Sequence, residues 1–508
     1  MNQFPSMTRS FTRPATLLGW LALGMVSFWS SSLSHAQNLT YTPTPSNPVG
    51  RAPQAIASGD FNGDGLWDVA TVNGTSDDVS VLLGNGNGTF RAAVSFGVGK
   101  IPLALVAEDM DGDEILDLVL ALSGSDQVVV FKGEGTGLFH RLASQDAGKG
   151  TTFLGVQDLN GDGWKDIVAV NSGRFGYYPP FNLAVLLNDG KGGLNDPVTY
   201  ENEDRNGMFP TGVLIENMTG DGKPDLAVTW SQPSWRSPNG LVSLLKNTGD
   251  GTFVLEKELK PGFTLSAIQG ADLNHDGFMD LAVTSLYSDT IRILLQREGG
   301  TFTELDPIKV GFAPVGAVFR DFDGDRELDL AVVNRDSNSV SMFLGNGKGL
   351  FTSAGHFGVG ATPSAVVVED FDRDQFPDLA TASTNADGVS VLLSGGGAIP
   401  LPSVSTDALV FEADMTREQP ISVQTIRLSN IGLGLLKIVD VGISGYGAEA
   451  FSVADNTCTG VKLHTGDSCT LEVGFKPHDP GSHHATLTIQ DNASGSPRRV
   501  ALKGLVKG

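Results

Sequence analysis

Asp60-Phe61-Asn62-Gly63-Asp64-Gly65-Leu66-Trp67-Asp68 is the first of seven related nine-residue runs in this 508-residue chain. The other copies begin at Asp109, Asp158, Asn217, Asp272, Asp321 and Asp370, at steps of 49, 49, 59, 55, 49 and 49 residues. Four equal steps set the period. A fixed period of this size marks a repeat architecture, in which each unit buries its faces only against its neighbours.

Outward from the acidic run, every period keeps the same order. An apolar stretch such as Gln54 to Ser58 leads in, and Val69 to Val72 and Val79 to Leu83 follow across a polar turn. A Gly-rich turn, Gly84 to Gly88, then precedes a last strand that begins near Phe90. Short Val- and Leu-rich runs bounded by Gly, Asn and Asp are strand and hairpin signals. Four strands in each of seven periods predict an all-β chain with a seven-bladed β-propeller over residues 37–399.

The ends of the array match as well. Thr40-Tyr41-Thr42 and Val49-Gly50-Arg51-Ala52-Pro53 repeat Thr301-Phe302-Thr303 and Val310-Gly311-Phe312-Ala313-Pro314. The seventh period lacks a fourth strand of its own, so residues 39–49 are expected to close it and to remove an edge open to aggregation.

Calcium takes six to eight oxygens, and alternate side chains on a curled loop can converge on one ion. Positions one, three, five and nine of each run supply side-chain oxygens, and position seven supplies a backbone carbonyl. The predicted sets are Asp60, Asn62, Asp64, Asp68 with Leu66; Asp109, Asp111, Asp113, Asp117 with Ile115; and Asp158, Asn160, Asp162, Asp166 with Trp164. Next come Asn217, Thr219, Asp221, Asp225 with Lys223, and Asp272, Asn274, Asp276, Asp280 with Phe278. The last two are Asp321, Asp323, Asp325, Asp329 with Glu327, and Asp370, Asp372, Asp374, Asp378 with Phe376.

Up to seven Ca2+ ions are therefore expected. The loop at Asn217, with two carboxylates, is expected to be the weakest or empty. Gly65 stands where a loop needs positive φ; Glu114, Arg326 and Gln375 replace that glycine in the three loops with four carboxylates. Asp, Asn and Gly also make ordinary turns, a reading that suits a single copy better than seven in register.

Twenty-three aspartates, among 58 acidic residues, lie at the side-chain positions of these loops, within a net charge of −24. That charge disfavours nucleic acid and anionic membranes as partners. Residues 1–36 read as a secretory signal peptide: Arg9 and Arg13 precede an apolar run from Leu17 to Trp29, and Ser34-His35-Ala36 offers small residues for cleavage. An N-terminal membrane anchor is the alternative. With the leader gone, no integral span is expected, and the protein is read as secreted, to the medium, cell surface or periplasm. Cys458 and Cys469, the two cysteines, fit a disulfide in an exported chain.

The repeats resemble FG-GAP/VCBS repeats, the units of integrin alpha-subunit propellers and of many bacterial secreted proteins. Gly59-Asp60-Phe61-Asn62-Gly63-Asp64-Gly65 and Val79-Ser80-Val81-Leu82-Leu83-Gly84-Asn85-Gly86 carry the resemblance. It implies fold and calcium, and says little about function, since its members range from adhesion modules to appendages of enzymes.

Residues 400–508 resemble the immunoglobulin-like abnormal-spindle/hydin (ASH) or choice-of-anchor D domains. The matching runs are Leu428-Ser429-Asn430-Ile431-Gly432, Phe451-Ser452-Val453, Gly466-Asp467-Ser468-Cys469, Val473-Gly474-Phe475-Lys476-Pro477 and Leu502-Lys503-Gly504. This resemblance implies a β-sandwich after the propeller.

The unequal steps locate insertions on the face away from the acidic loops, in the third and fourth periods. There Arg174, Phe175, Tyr177, Tyr178, Phe181, Trp230, Trp235 and Arg236 cluster in or beside two long loops. Aromatics with Arg suit recognition of a glycan or protein ligand; they equally suit packing of the loops on each other. The chain holds no His-Glu-x-x-His and no Gly-x-Ser-x-Gly. The resulting expectation is a monomeric, secreted binding or adhesion-type scaffold without catalytic residues. A polysaccharide lyase or hydrolase, or its accessory module, is the alternative.

Overall fold

A computed structural model describes residues 39–507, apart from 174–181, 202–206, 233–239, 263, 395–401, 407, 415–421, 431–434, 465, 494 and 495. The leader at 1–36 lies outside the described residues.

From Tyr41 to Ser394 the chain forms seven antiparallel sheets. In the first, Pro53–Gly59, Asp68–Asn73, Asp78–Leu82 and Val94–Gly97 lie side by side in chain order, and the later sheets repeat that order. The second strand of every sheet, from Asp68–Asn73 to Asp378–Ser383, is buried throughout. Such strands are covered on both faces, which explains why they read as continuous rather than alternating apolar runs.

The cores lie between sheets rather than within them. Ala57, Phe61, Ala70 and Val72 of the first sheet pack with Leu105, Leu118 and Leu120 of the second. Ile56, Val69 and Leu82 pack with Phe371, Ala380 and Val391 of the last. Burying each Val, Leu, Ile or Phe among them contributes about 1.5–3 kcal/mol.

First strands pack in series: Pro53–Gly59 on Pro102–Glu108, and so on through Pro363–Glu369, which packs back on Pro53–Gly59. The chain start completes the last sheet. Tyr41–Pro43 and Asn47–Pro48 pair antiparallel with Gly388–Ser394, in the registers Tyr41↔Ser394 and Asn47↔Val389. The result is an all-β, propeller-like arrangement whose two chain ends share one sheet.

Residues 402–507 form two further sheets. One has the order Pro402–Val404, Ser422–Asn430, Ser468–Phe475, Phe451–Asn456; the other has Ala408–Asp414, Arg498–Lys507, Gly481–Asp491, Leu436–Ser444, Lys462–Leu463. A single core joins them around Phe411, Phe451 and Phe475, with ring centroids 4.9–5.7 Å apart. A Cβ at Gly504 would lie 2.1 Å from Phe475 Cζ, so only glycine fits beneath that ring. Cys458 and Cys469 form a disulfide across a separation of 11 residues.

Candidate metal loops and the cavity at the opposite end

Each acidic run follows a first strand and is curled by its own side chains. Asp60 Oδ1 accepts the Gly63 N–H at 2.8 Å, Asp60 Oδ2 accepts that of Gly65 at 2.8 Å, and Asp64 Oδ1 accepts that of Leu66 at 3.0 Å. The third run repeats all three bonds through Asp158 and Asp162. Position six is left-handed whatever its residue: Gly65 has φ 76°, Glu114 67°, Arg326 76° and Gln375 77°. Position four is left-handed too, even at His275 (60°) and Arg373 (65°), which position-by-position reading of the sequence had not indicated.

Among the described residues, three carboxylates gather in each of the four-carboxylate loops. Asp109, Asp111 and Asp117, then Asp321, Asp323 and Asp325, then Asp370, Asp372 and Asp374, each place one oxygen within 4.8 Å of the others. Asp370 Oδ1 is buried without a hydrogen-bond partner; its counterpart Asp60 Oδ1 holds the N–H of position four.

Burial pushes the carboxyls of Asp68, Asp166 and Asp280 up to about 6 and that of Asp378 up to about 7. Burial, then the Asp323 charge, pushes Asp329 up to about 8. Hard oxygens gathered in this way, with their charged forms disfavoured, fit a divalent cation that would offset the repulsion. The fourth loop fits less well, because Asn217 has one oxygen, which accepts the Gly220 N–H.

Position nine does more than the ligand role assigned from spacing. Asp68 is fully buried; its Oδ2 accepts the Phe61 N–H at 3.0 Å and its Oδ1 the Gly84 N–H at 2.7 Å. All seven position-nine aspartates tie their loop to the end of the third strand in this way, including Asp225 with Asn247 and Asp378 with Ser394. The Gly-rich turns also cross between sheets. The Gly137 N–H donates to Phe61 O at 2.8 Å, Asn188 Nδ2 to Met110 O at 2.8 Å, and the Gly88 N–H to Phe371 O at 3.0 Å.

A second set of hooks was missed at the other end of the sheets. Asp77, Asp126, Asp289, Asn338 and Asp387, in the turns between second and third strands, accept backbone N–H groups of Ile101, Gly150, Ala313, Thr362 and Ala52 at 2.7–3.0 Å. Their recurrence at steps of 49 within each run of equal periods was the available signal.

At that end of the first strands lies a cavity of about 600 Å³. Every first strand carries a one-residue bulge there, between Pro53 and Ala55 in the first sheet and between Pro363 and Ala365 in the last. The seven bulged residues, Gln54, Leu103, Thr152, Thr211, Ser266, Val315 and Ser364, all line the cavity. Bulges re-aim side chains, so each sheet contributes one group to the mouth. Phe153, Phe209 and Tyr287 add aromatic wall, and Arg335 adds a positive charge.

Of the ligand residues proposed from sequence, Trp230 is corrected: it is 3% exposed and packs with Val170, Leu183 and Leu241 in the core between the third and fourth sheets. It sits on Asp225–Ser231, a second strand and therefore covered on both sides. Arg174, Phe175, Tyr177, Tyr178, Phe181, Trp235 and Arg236 lie outside the described residues.

The FG-GAP-like repeat family matches the chain at residues 60–120, 158–228, 217–283, 272–332 and 321–381, together more than half of it. No curated protein matches. Among solved structures, BBS1N in its complex with ARL6DN is similar at 10% identity, covering 70% of this chain and 97% of that one, with a TM-score of 0.48. The periplasmic gluconolactonase PpgL of Pseudomonas aeruginosa is similar at 16% identity, with 62% and 87% coverage and a TM-score of 0.45. The Dos1 propeller is similar at 9% identity, with 71% and 97% coverage and a TM-score of 0.44.

Proposed function

The chain belongs to the FG-GAP-like repeat family, and from that premise we propose that it is a secreted, calcium-stabilised binding scaffold which takes a glycan at the cavity opposite the acidic loops. In this reading the seven sheets are the blades of a closed propeller, and residues 400–508 are an immunoglobulin-like domain of the ASH type. The metal is structural. At about 1 mM calcium and millimolar to 0.1 mM affinity, each filled loop contributes roughly 0.4–1.4 kcal/mol by mass action.

The observation that supports the binding reading is the bulge ring. Seven separate sheets distort at one position to line one cavity with small polar and apolar groups, beside exposed Phe153 and Tyr287. Sugars present apolar faces to aromatic rings and hydroxyls to Thr, Ser and Gln, and concave sites with a few placed polar groups are where ligands bind.

A glycan array with the purified protein, repeated with Phe153→Ala and Tyr287→Ala, tests this. The parent is expected to bind a defined set of sugars and both variants to lose it with unchanged melting. An array without hits, with a protein captured instead through the same residues, would replace the glycan by a protein ligand. Release of reducing ends from a polysaccharide would replace the scaffold by an enzyme.

A further inference from the structure

We propose that the cation of the second acidic loop is the chain's own Lys132, so that this loop takes no calcium under conditions that fill its siblings. The inference rests on the reading of the other loops as calcium sites.

The residue before the one held by each position-nine aspartate is Leu83, Lys132, Leu187, Lys246, Leu295, Leu344 and Leu393 in the seven sheets. Five are leucine. Four of these leucines seat against the Gly-rich turn of the next sheet. A Cβ built at Gly137 would meet Leu83 at 3.0 Å, at Gly251 Leu187 at 2.8 Å, at Gly349 Leu295 at 2.7 Å, and at Gly88 Leu393 at 2.4 Å.

The second sheet fills that seat differently. Against Gly192 stands Leu142, at 2.4 Å from a built Cβ, on the one-residue bulge between Arg141 and Ala143 of the outer strand. With its packing role taken over, Lys132 turns into the loop. Its Nζ donates to Asp111 Oδ2, in a short contact, and to Asp113 Oδ2 at 2.7 Å. The lysine side chain is 26% exposed and that of Asp111 13%, so this is a half-buried pair of bonds.

Other cations near the loops behave otherwise. Arg91 and Arg297 come only to the position-five carboxylates Asp64 and Asp276, at 3.8 and 3.4 Å, from largely exposed positions. Lys246, at the same register as Lys132, lies 3.3 Å from Asp221 in the loop that has lost two carboxylates. An ammonium offers three donors where calcium seeks six to eight oxygens. The two bonds from Nζ leave Asp111 Oδ1 buried without a hydrogen-bond partner, as Asp370 Oδ1 is in the seventh loop.

The test counts calcium per chain after equilibrium dialysis at about 1 mM free calcium, an extracellular level at which modules of this kind load. Lys132→Met is expected to bind one more ion than the parent, Lys132→Arg the same number, and Asp111→Asn in the parent background the same number. Equal counts in the parent and a folded Lys132→Met, or a parent count that falls by one in Asp111→Asn, overturn the proposal; the second arm holds even if Lys132→Met does not fold. A parent without calcium beside a Lys132→Met that binds one ion upholds Lys132 and overturns the reading of the other loops. No ion in either protein overturns both.

Discussion

Asp68 Oδ1 lies 2.7 Å from the backbone nitrogen of Gly84, sixteen residues later, while its Oδ2 holds the nitrogen of Phe61 at 3.0 Å. The residue is fully buried, so neither N–H has water to turn to when the carboxylate is removed. Asp68→Ala is expected to cost roughly 1–3 kcal/mol for each orphaned N–H, in saturating calcium as well as without it. Asp64→Asn, on the exposed side of the same loop, is expected to cost stability only when calcium is present. Denaturant unfolding with and without calcium separates the two, and equal behaviour would deny the double role of position nine.

Without a bound cation, stability should fall as pH rises from about 4 to about 8. The carboxyls of Asp68, Asp166 and Asp280 are raised to about 6, Asp378 to about 7 and Asp329 to about 8. Each then holds a proton in the folded state that the unfolded chain, titrating near 4, has already released. The folded state binds more protons across that window, and raising pH works against it. Calcium favours the charged form, so melting curves in saturating calcium should lose this dependence. A calcium-free protein whose melting temperature climbs between pH 5 and pH 8 would contradict the origin given for these shifts.

Closure of the last sheet depends on a few residues from the chain start. Tyr41 is 9% exposed and meets Phe357 edge to face at 5.0 Å. Tyr41→Ala is expected to cost about 3 kcal/mol, as large-to-small changes in cores do. Deleting residues 39–49 should expose Gly388–Ser394 as an unpaired edge and promote association. Light scattering checks this; a truncated protein that stays dispersed and melts unchanged would show that the seam carries no load.

Reduction of Cys458–Cys469 is expected to destabilise residues 402–507 by about 3 kcal/mol, chiefly through the entropy of the unfolded chain. The repeat region holds no cysteine. Calorimetry with and without reductant should move one transition and leave the other in place.

Much of this was written in the order of residues. The period, the four strands in each unit, the chain start as a missing outer strand and the left-handed sixth position all follow from local pattern, because pleat, turn chemistry and loop curl are set by neighbours in sequence. Trp230 was misplaced because an aromatic beside an insertion reads as surface, when its strand is covered by sheets on both sides. The bulge ring at Gln54 and Ser364 was illegible for a related reason, and the hooks at Asp77 and Asp387 showed only as a recurrence without partners: each acquires its partner only when the sheets stand side by side. Lys132 shows the limit most clearly. Its spacing says only that a lysine replaces a leucine, and the ammonium enters the loop because Leu142, ten residues further on, fills the seat a leucine would have taken. Sequence fixes which groups recur; packing between sheets decides which of them meet.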